Sequence, residues 1–152
     1  MRLNNWLIGV ILTIIFTIAY FFLNPSYERS LEAKFYYTIG DYRQAQELAT
    51  EAFEMNQYNR MASTIMTQSQ TAMKFVNYID ESKKYMAEIA KIASGNGVSS
   101  SDRAKVKMIC EIMIASHVKI TSTVLTDKDL VIEAQNYRDK FQKLHDEITS
   151  KL

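Results

Sequence analysis

His117, His145, Cys110 and the adjacent pair Asp80-Glu81 are the residues whose types could support metal binding, proton transfer or nucleophilic attack. Their spacing argues against all three. Neither histidine has a cysteine or carboxylate at the intervals that bring ligands onto one ion. His145 stands before Asp146 on a charged stretch and reads as solvated surface, whereas His117 lies in an apolar stretch and reads as a hydrogen-bonded core or interface residue. Asp80 and Glu81 are neighbours, so on a helix they diverge instead of converging on a substrate. Cys110 is the single cysteine, which excludes an internal disulfide, and its setting in Val106-Lys-Met-Ile-Cys-Glu-Ile-Met makes it a small buried hydrophobe. No glycine-rich phosphate loop, His-Glu-x-x-His pair or nucleophile elbow occurs. The methionines and tyrosines read as core and interface filler, not as a cofactor box. The expectation is a protein that is not an enzyme and holds no metal or cofactor.

Charge removes another class. Arg2 is the one charged side chain before Asn24, and the rest of the chain carries seventeen cations and seventeen anions. Nucleic-acid binding needs a cationic face that displaces counterions, and only the short cluster Arg103, Lys105 and Lys107 offers one. Nucleic acid is therefore not an expected partner.

The elements that must position any site begin with an apolar one. Trp6 to Leu23 contains no charge and, as a helix, would rise about 27 Å, close to the hydrocarbon thickness of a bilayer. Trp6 at one end and Tyr20, Phe21 and Phe22 at the other suit the two membrane interfaces. A cleavable signal would want small residues where Tyr20-Phe-Phe-Leu-Asn-Pro stands, and a lipoprotein signal would want a cysteine after the apolar run. A buried core helix would show a polar stripe. The segment is expected to be an uncleaved single-pass anchor, residues 1–24 with the short tail. Its lipid-facing side chains would be Trp6, Leu7, Ile8, Ile11, Leu12, Ile14, Ile15, Phe16, Ile18, Phe21, Phe22 and Leu23. The short tail carrying Arg2 points to a cytoplasmic N-terminus in the inner, cytoplasmic membrane, with the following domain in the periplasm. Arg29, Lys34 and Arg43 beyond the segment nearly balance that count.

Residues 25–152 read as one all-α interaction domain. Asn24 caps a helix that starts at Pro25 and closes at Gly40, and Asp41, with Gln44 three residues on, caps a second helix to about Asn56. After a turn at 57–59 comes a long helix to about Ala93, with a seam of Ala62, Ile65, Ala72, Val76, Ile79, Met86 and Ala93. Residues 94–101 form a Gly/Ser linker. Ser101 is expected to cap a helix over about 102–124, apolar around most of its circumference and so the most buried. Thr126 is expected to cap a last helix over 127–152, with a stripe of Leu130, Ala134, Tyr137, Phe141, Leu144, Ile148 and Leu152. Asp139 with Lys143 and Glu147 with Lys151 are expected to pair on its wet face.

Residues 33–57 resemble one tetratricopeptide repeat, the unit spanning about residues 26–57. Ala33 and Tyr36 fall at its small and large positions, Gly40-Asp41-Tyr42 at its turn and second-helix start, and Ala45 and Ala52 at its later small positions, with Gln57 where the family prefers proline. Small residues at such places let two helices approach closely. The match departs at Glu32 and Ala49, where the family has an aliphatic and an aromatic residue, and Met66, Thr67, Gln70 and Lys74 do not continue it into a second repeat. The resemblance implies a helical hairpin that binds proteins. A lone unit leaves a face uncovered, to be closed either by the helices after Asn59 or by a partner's helical array.

These readings converge on a membrane-anchored helical scaffold or adaptor subunit of a cell-envelope assembly, such as a flagellar motor or secretion apparatus. The expected partners are the lipid bilayer, other protein subunits including helical-repeat proteins, and a second copy of the chain. The stripe stays in register through Leu144, Ile148 and Leu152, which are expected to dock on a partner. A different class, a membrane-tethered sensor with an apolar ligand held among Met-rich helices, would require a cavity bounded by Met108, Met113 and the hairpin. A cytoplasmic domain would instead suit a targeting or chaperone subunit.

Overall fold

The computed structural model describes residues 5–95 and 99–150, with the side chains of all of these except Asn5, Phe21 and Phe22. Within them the chain is all-α, with helices α1 (Asn5–Leu23), α2 (Pro25–Thr38), α3 (Tyr42–Met55), α4 (Arg60–Ala93), α5 (Ser100–Val118) and α6 (Lys128–Thr149). They form two compact units, one up to Gln70 and one from Thr71 onward. α4 contributes its first turns to one unit and the remainder to the other.

Local chemistry accounts for the boundaries. Asn24 takes an extended conformation and accepts from the Ser26 amide, while Pro25 supplies the fixed φ that suits a first helical turn. Gly40 sits at φ +84°, where a side chain would be strained, and the Asp41 carboxylate accepts from the Gln44 amide to start α3. The cap of α5 is Ser99, not Ser101. Its hydroxyl accepts from the Asp102 amide and the Asp102 carboxylate accepts from the Ser99 amide, and of the three consecutive serines only Ser99 stands three residues ahead of Asp102 to close that box. α5 also ends at Val118, short of residue 124. Ile120-Thr-Ser-Thr-Val124 is poor in helix formers, and Thr123 bonds locally to Thr126 instead. The Thr126 hydroxyl accepts from the Thr123 amide, so Thr126 closes a loop and Asp127 caps α6 in its place.

In the first unit α2 and α3 pack as an antiparallel hairpin. Ala33, Ala45, Leu48, Ala49 and Ile65 form the core, with Tyr36, Tyr37, Met61 and Met66 packed against it. Ile65, Met61 and Met66 belong to α4, so the chain covers part of the hairpin itself, one of the two ways expected for a lone unit. In the second unit the rest of α4, α5 and α6 surround Phe75, Tyr78, Ile79, Ile89, Val106, Ile109, Cys110, Met113, Ala134 and Phe141. The seam of α4 runs through Ser69 and Ser82 as well as Ala62, Ile65, Ala72 and Ile79; Val76 and Met86 are half-buried and Ala93 is exposed.

α5 is not the most buried helix. Val106, Ile109, Cys110 and Met113 face the core, but Met108, Ile112 and Val118 stand exposed. An apolar circumference buries only the sides that find a neighbour. The Asp139 carboxylate accepts from Gln135 and Arg138 and not from Lys143, in keeping with side chains that lean toward the helix start. Lys151 and Leu152 lie outside the described residues.

Candidate functional site

The hairpin is held by small side chains and by a buried polar knot. Ala33, Ala45, Ala49 and Ala52 are fully buried, and the Ser26 hydroxyl donates to the Ala52 carbonyl at 2.7 Å, which brings the start of α2 to the end of α3. The Asn59 amide nitrogen donates toward Ser26 Oγ at 2.9 Å and Ser30 Oγ at 2.8 Å, and the Ser30 hydroxyl donates to the Ser26 carbonyl. The Asn59 amide oxygen accepts from the Met61 and Ala62 amides, capping α4. The Asn59 side chain thus ties α2 to α4, and Ser26 carries the tie on to α3. Sequence reasoning read residues 57–59 as a plain turn and missed it. The available signal was an asparagine directly before a helix, with serines four apart on α2. Tyr42 is buried and meets Tyr37 edge to face at 5.3 Å between ring centres; Tyr36 is half-buried beside Phe35.

Between α2 and the first turns of α4 lies a groove of about 400 Å³ lined by Lys34, Tyr37, Thr38, Arg60, Met61, Thr64, Ile65 and Gln68. Its floor is apolar. Two cations and no carboxylate line it.

The second unit offers less. A depression of about 710 Å³ beside Ala87, Ile92 and Gly95 carries the Glu88–Lys105 ion pair at 2.6 Å, so neither charge is free for a ligand. That pairing lowers the Glu88 carboxyl pKa, raises the Lys105 pKa and breaks up the Arg103, Lys105, Lys107 cluster. Burial pushes the Cys110 thiol up to about 11, with Glu111 adding to it, so at neutral pH it is a protonated hydrophobe and neither nucleophile nor ligand. The His117 ring meets Tyr78 edge to face at 5.3 Å, and burial lowers its pKa, with Arg138 in the same direction. The Tyr78 and Ser82 hydroxyls are buried without a well-formed hydrogen bond; burial raises the Tyr78 pKa, and the nearby Ser82 hydroxyl only partly opposes it. The His145 ring reaches Glu111 at 3.4 Å and Asp146 at 3.5 Å. Among the described residues no group of three or more histidine, cysteine or acidic side chains could hold a metal ion. Leu144 and Ile148 are half-buried against the core of their own unit, which leaves part of each side chain open.

The described side chains of α1 are exposed except for half-buried Ala19, from Leu7 at 39% and Trp6 at 66% to Leu23 at 82%, with Ile8, Ile11, Leu12, Ile14, Ile15, Phe16 and Ile18 between those limits. The side chains of Phe21 and Phe22 lie outside the description. The hydroxyls of Thr13 and Thr17 donate to the carbonyls of Gly9 and Thr13, each at 2.8 Å. Among the described residues no single helix is long and apolar enough to cross a membrane, whereas Trp6–Tyr20 and Pro25–Thr38 reach that measure together, bent by 70°. The second member carries Glu28, Arg29, Glu32 and Lys34 and packs on α3, so the apolar character belongs to α1. No protein-family model, no curated protein and no solved structure matches this chain.

Proposed function

We propose that the protein is a membrane-anchored helical adaptor, with α1 in a bilayer and the helical units binding other subunits of a cell-envelope assembly. The observation that carries the reading is α1 itself: an uncharged run from Trp6 to Leu23, none of whose described side chains is buried by the rest of the protein. Fully burying a large apolar side chain is worth about 1.5–3 kcal/mol, so this many left in water would be strongly unfavourable. Ile, Val and Thr are mediocre helix formers in water, but in hydrocarbon a helix satisfies the backbone internally. The in-helix bonds of Thr13 and Thr17 satisfy both threonine hydroxyls of that run. Arg2 ahead of the run favours a cytoplasmic tail and a periplasmic domain.

Two surfaces support the adaptor part. One is the apolar groove at Tyr37, Met61 and Ile65, and the other is the exposed pair Met108 and Ile112 on α5. The hairpin, with Ala33, Ala45 and Ala52 at its helix contact, Gly40 at its turn and Tyr36 and Tyr42 around it, is in this reading a single tetratricopeptide-like unit. Met113 is fully buried and Met108 exposed, which favours the adaptor reading over an apolar ligand held between them.

The test has two stages. Full-length protein should resist carbonate extraction, and Ile14→Arg should cost about 2.5–3.5 kcal/mol of insertion and loosen retention. In mild detergent, tagged protein should retain subunits that Met61→Glu or Ile112→Asp loses, with helical content unchanged. Release by carbonate would end the anchor reading. An identical set of retained proteins for the wild type and both variants would end the adaptor reading.

A further inference from the structure

α2 presents two faces. One carries Ser26, Ser30 and Ala33 into the hairpin, all buried. The other carries Leu31 and Phe35, continued by Ile39 at the C-cap just past the helix; the three are spaced four apart and 54%, 59% and 59% exposed. Side chains four apart on a helix line one side of it. Within the hairpin nothing covers this side, because α3 and the start of α4 pack on the opposite one.

The connection to α1 sets the inclination of that helix. Leu23 ends α1, Asn24 alone separates it from Pro25, and the Asn24 carbonyl accepts from the amides of Tyr27 and Glu28 at 3.0 and 3.2 Å. The break is therefore a capped turn and not a frayed end. The two helices meet at 70°. With α1 along the bilayer normal, α2 leaves at only about 20° from the membrane plane. A tilt of α1 by about 20°, the average for spanning helices, brings α2 parallel to the surface. A helix with Leu and Phe on one side, lying at the end of an anchor, buries that side about 5–10 Å into the headgroup region. Glu28 lies on the same side one turn ahead of Leu31, Glu32 flanks the stripe and Lys34 borders it, so the face is not cationic and the attraction is apolar.

We propose that α2 is an interfacial helix whose Leu31, Phe35 and Ile39 rest in the headgroup layer of the bilayer that holds α1. This rests on the anchor reading of α1 and adds a second, shallower lipid contact that would hold the hairpin against the membrane.

The single tryptophan makes the test direct. In full-length Trp6→Phe protein, one tryptophan is placed in turn by Phe35→Trp, Ile14→Trp or Glu47→Trp, the last on the exposed face of α3. Each is reconstituted in phosphatidylcholine vesicles brominated either near the headgroup or near the chain ends. The expected result is quenching of the Phe35→Trp signal mainly by shallow bromines, of Ile14→Trp by deep ones, and of Glu47→Trp by neither. Adding anionic lipid should change the Phe35→Trp quenching less than twofold. Quenching at position 14 with none at 35 overturns the interfacial helix and leaves the anchor standing. Quenching at neither position overturns both. A blue-shifted, unquenched signal at 35 that grows with protein density overturns the proposal in favour of a second copy covering the stripe.

Discussion

The two units solve helix packing differently. The hairpin brings α2 and α3 together with alanines, and the polar groups that tie it, Ser26, Ser30 and Asn59, are hydrogen-bonded, although Ser69 further along α4 in the same unit keeps a buried hydroxyl without a partner. The second unit fills its interior with Phe75, Tyr78, Ile109, Met113 and Phe141, and leaves the Tyr78 and Ser82 hydroxyls without a well-formed bond. Close approach makes a hairpin sensitive to any change in volume or hydrogen bonding. A core of large residues depends instead on filling. The contrast teaches that the same secondary structure can be secured by geometry in one place and by apolar bulk in another.

The largest test of that contrast removes bulk. Phe141 is fully buried at the centre of the second unit, and Phe141→Ala should cost about 3–5 kcal/mol. Amide exchange read by mass spectrometry should quicken across α5 and α6, with α2 and α3 unchanged. Equal loss of protection in the hairpin would break the distinction.

The next removes a polar tie. Asn59→Ala strips the partner from two buried serine hydroxyls and the cap from α4, each loss being worth about 1–2 kcal/mol. Exchange should quicken in residues 26–52 and in the first turn of α4, while Phe75 to Phe141 keep their protection. A wild-type exchange pattern would mean that the knot contributes nothing and the alanines suffice.

How much of this could be read beforehand follows the range of the interaction. Asn24-Pro25 and Gly40-Asp41 announce their helix ends because a cap and a left-handed turn are decided within four residues. Three consecutive serines left the start of α5 ambiguous, and only the reciprocal bond to Asp102 selects Ser99. Asn59 was illegible as a tie since its acceptors lie 29 and 33 residues away. The exposure of Met108 and Ile112 was illegible for a related reason. Periodicity shows that a side chain is apolar, but not whether a neighbour arrives to cover it.

A smaller effect sharpens the comparison from the other side. Removing an unpaired buried hydroxyl costs little, because the penalty of desolvating it disappears along with it. Tyr78→Phe should therefore leave stability within about 0.5 kcal/mol of wild type or raise it slightly, opposite in sign to Asn59→Ala. A denaturation midpoint that falls as far as it does for Asn59→Ala would show that Tyr78 is held by its hydroxyl after all.

The smallest effect is a pH dependence confined to the second unit. His117 sits edge to face against Tyr78, and burial, joined by the Arg138 charge, lowers its pKa from the ordinary 6.5 while Asp139 only partly opposes this. Between the folded and unfolded values the unfolded chain binds more protons, so stability rises with pH there. The contribution of His117 is complete above about pH 6.5 and is lost as pH falls through the folded-state value. The lowered carboxyl of Glu88 has an ordinary value of 4.5 and loses its own contribution only further into acid. A comparison of pH 7.5 with pH 5.5 therefore isolates the histidine when His117→Gln is run beside the wild type, since Gln keeps a polar head group and cannot titrate. Wild type should lose more of its thermal midpoint between the two conditions than the variant does, and the difference should appear as faster exchange around Tyr78 and His117, not in the hairpin. If both proteins lose the same amount, the ring is as well solvated folded as unfolded, and the contact with Tyr78 does not desolvate it. A difference seen in the hairpin would mean that the two units do not respond to protons separately, and the division drawn between them would fail on this measure.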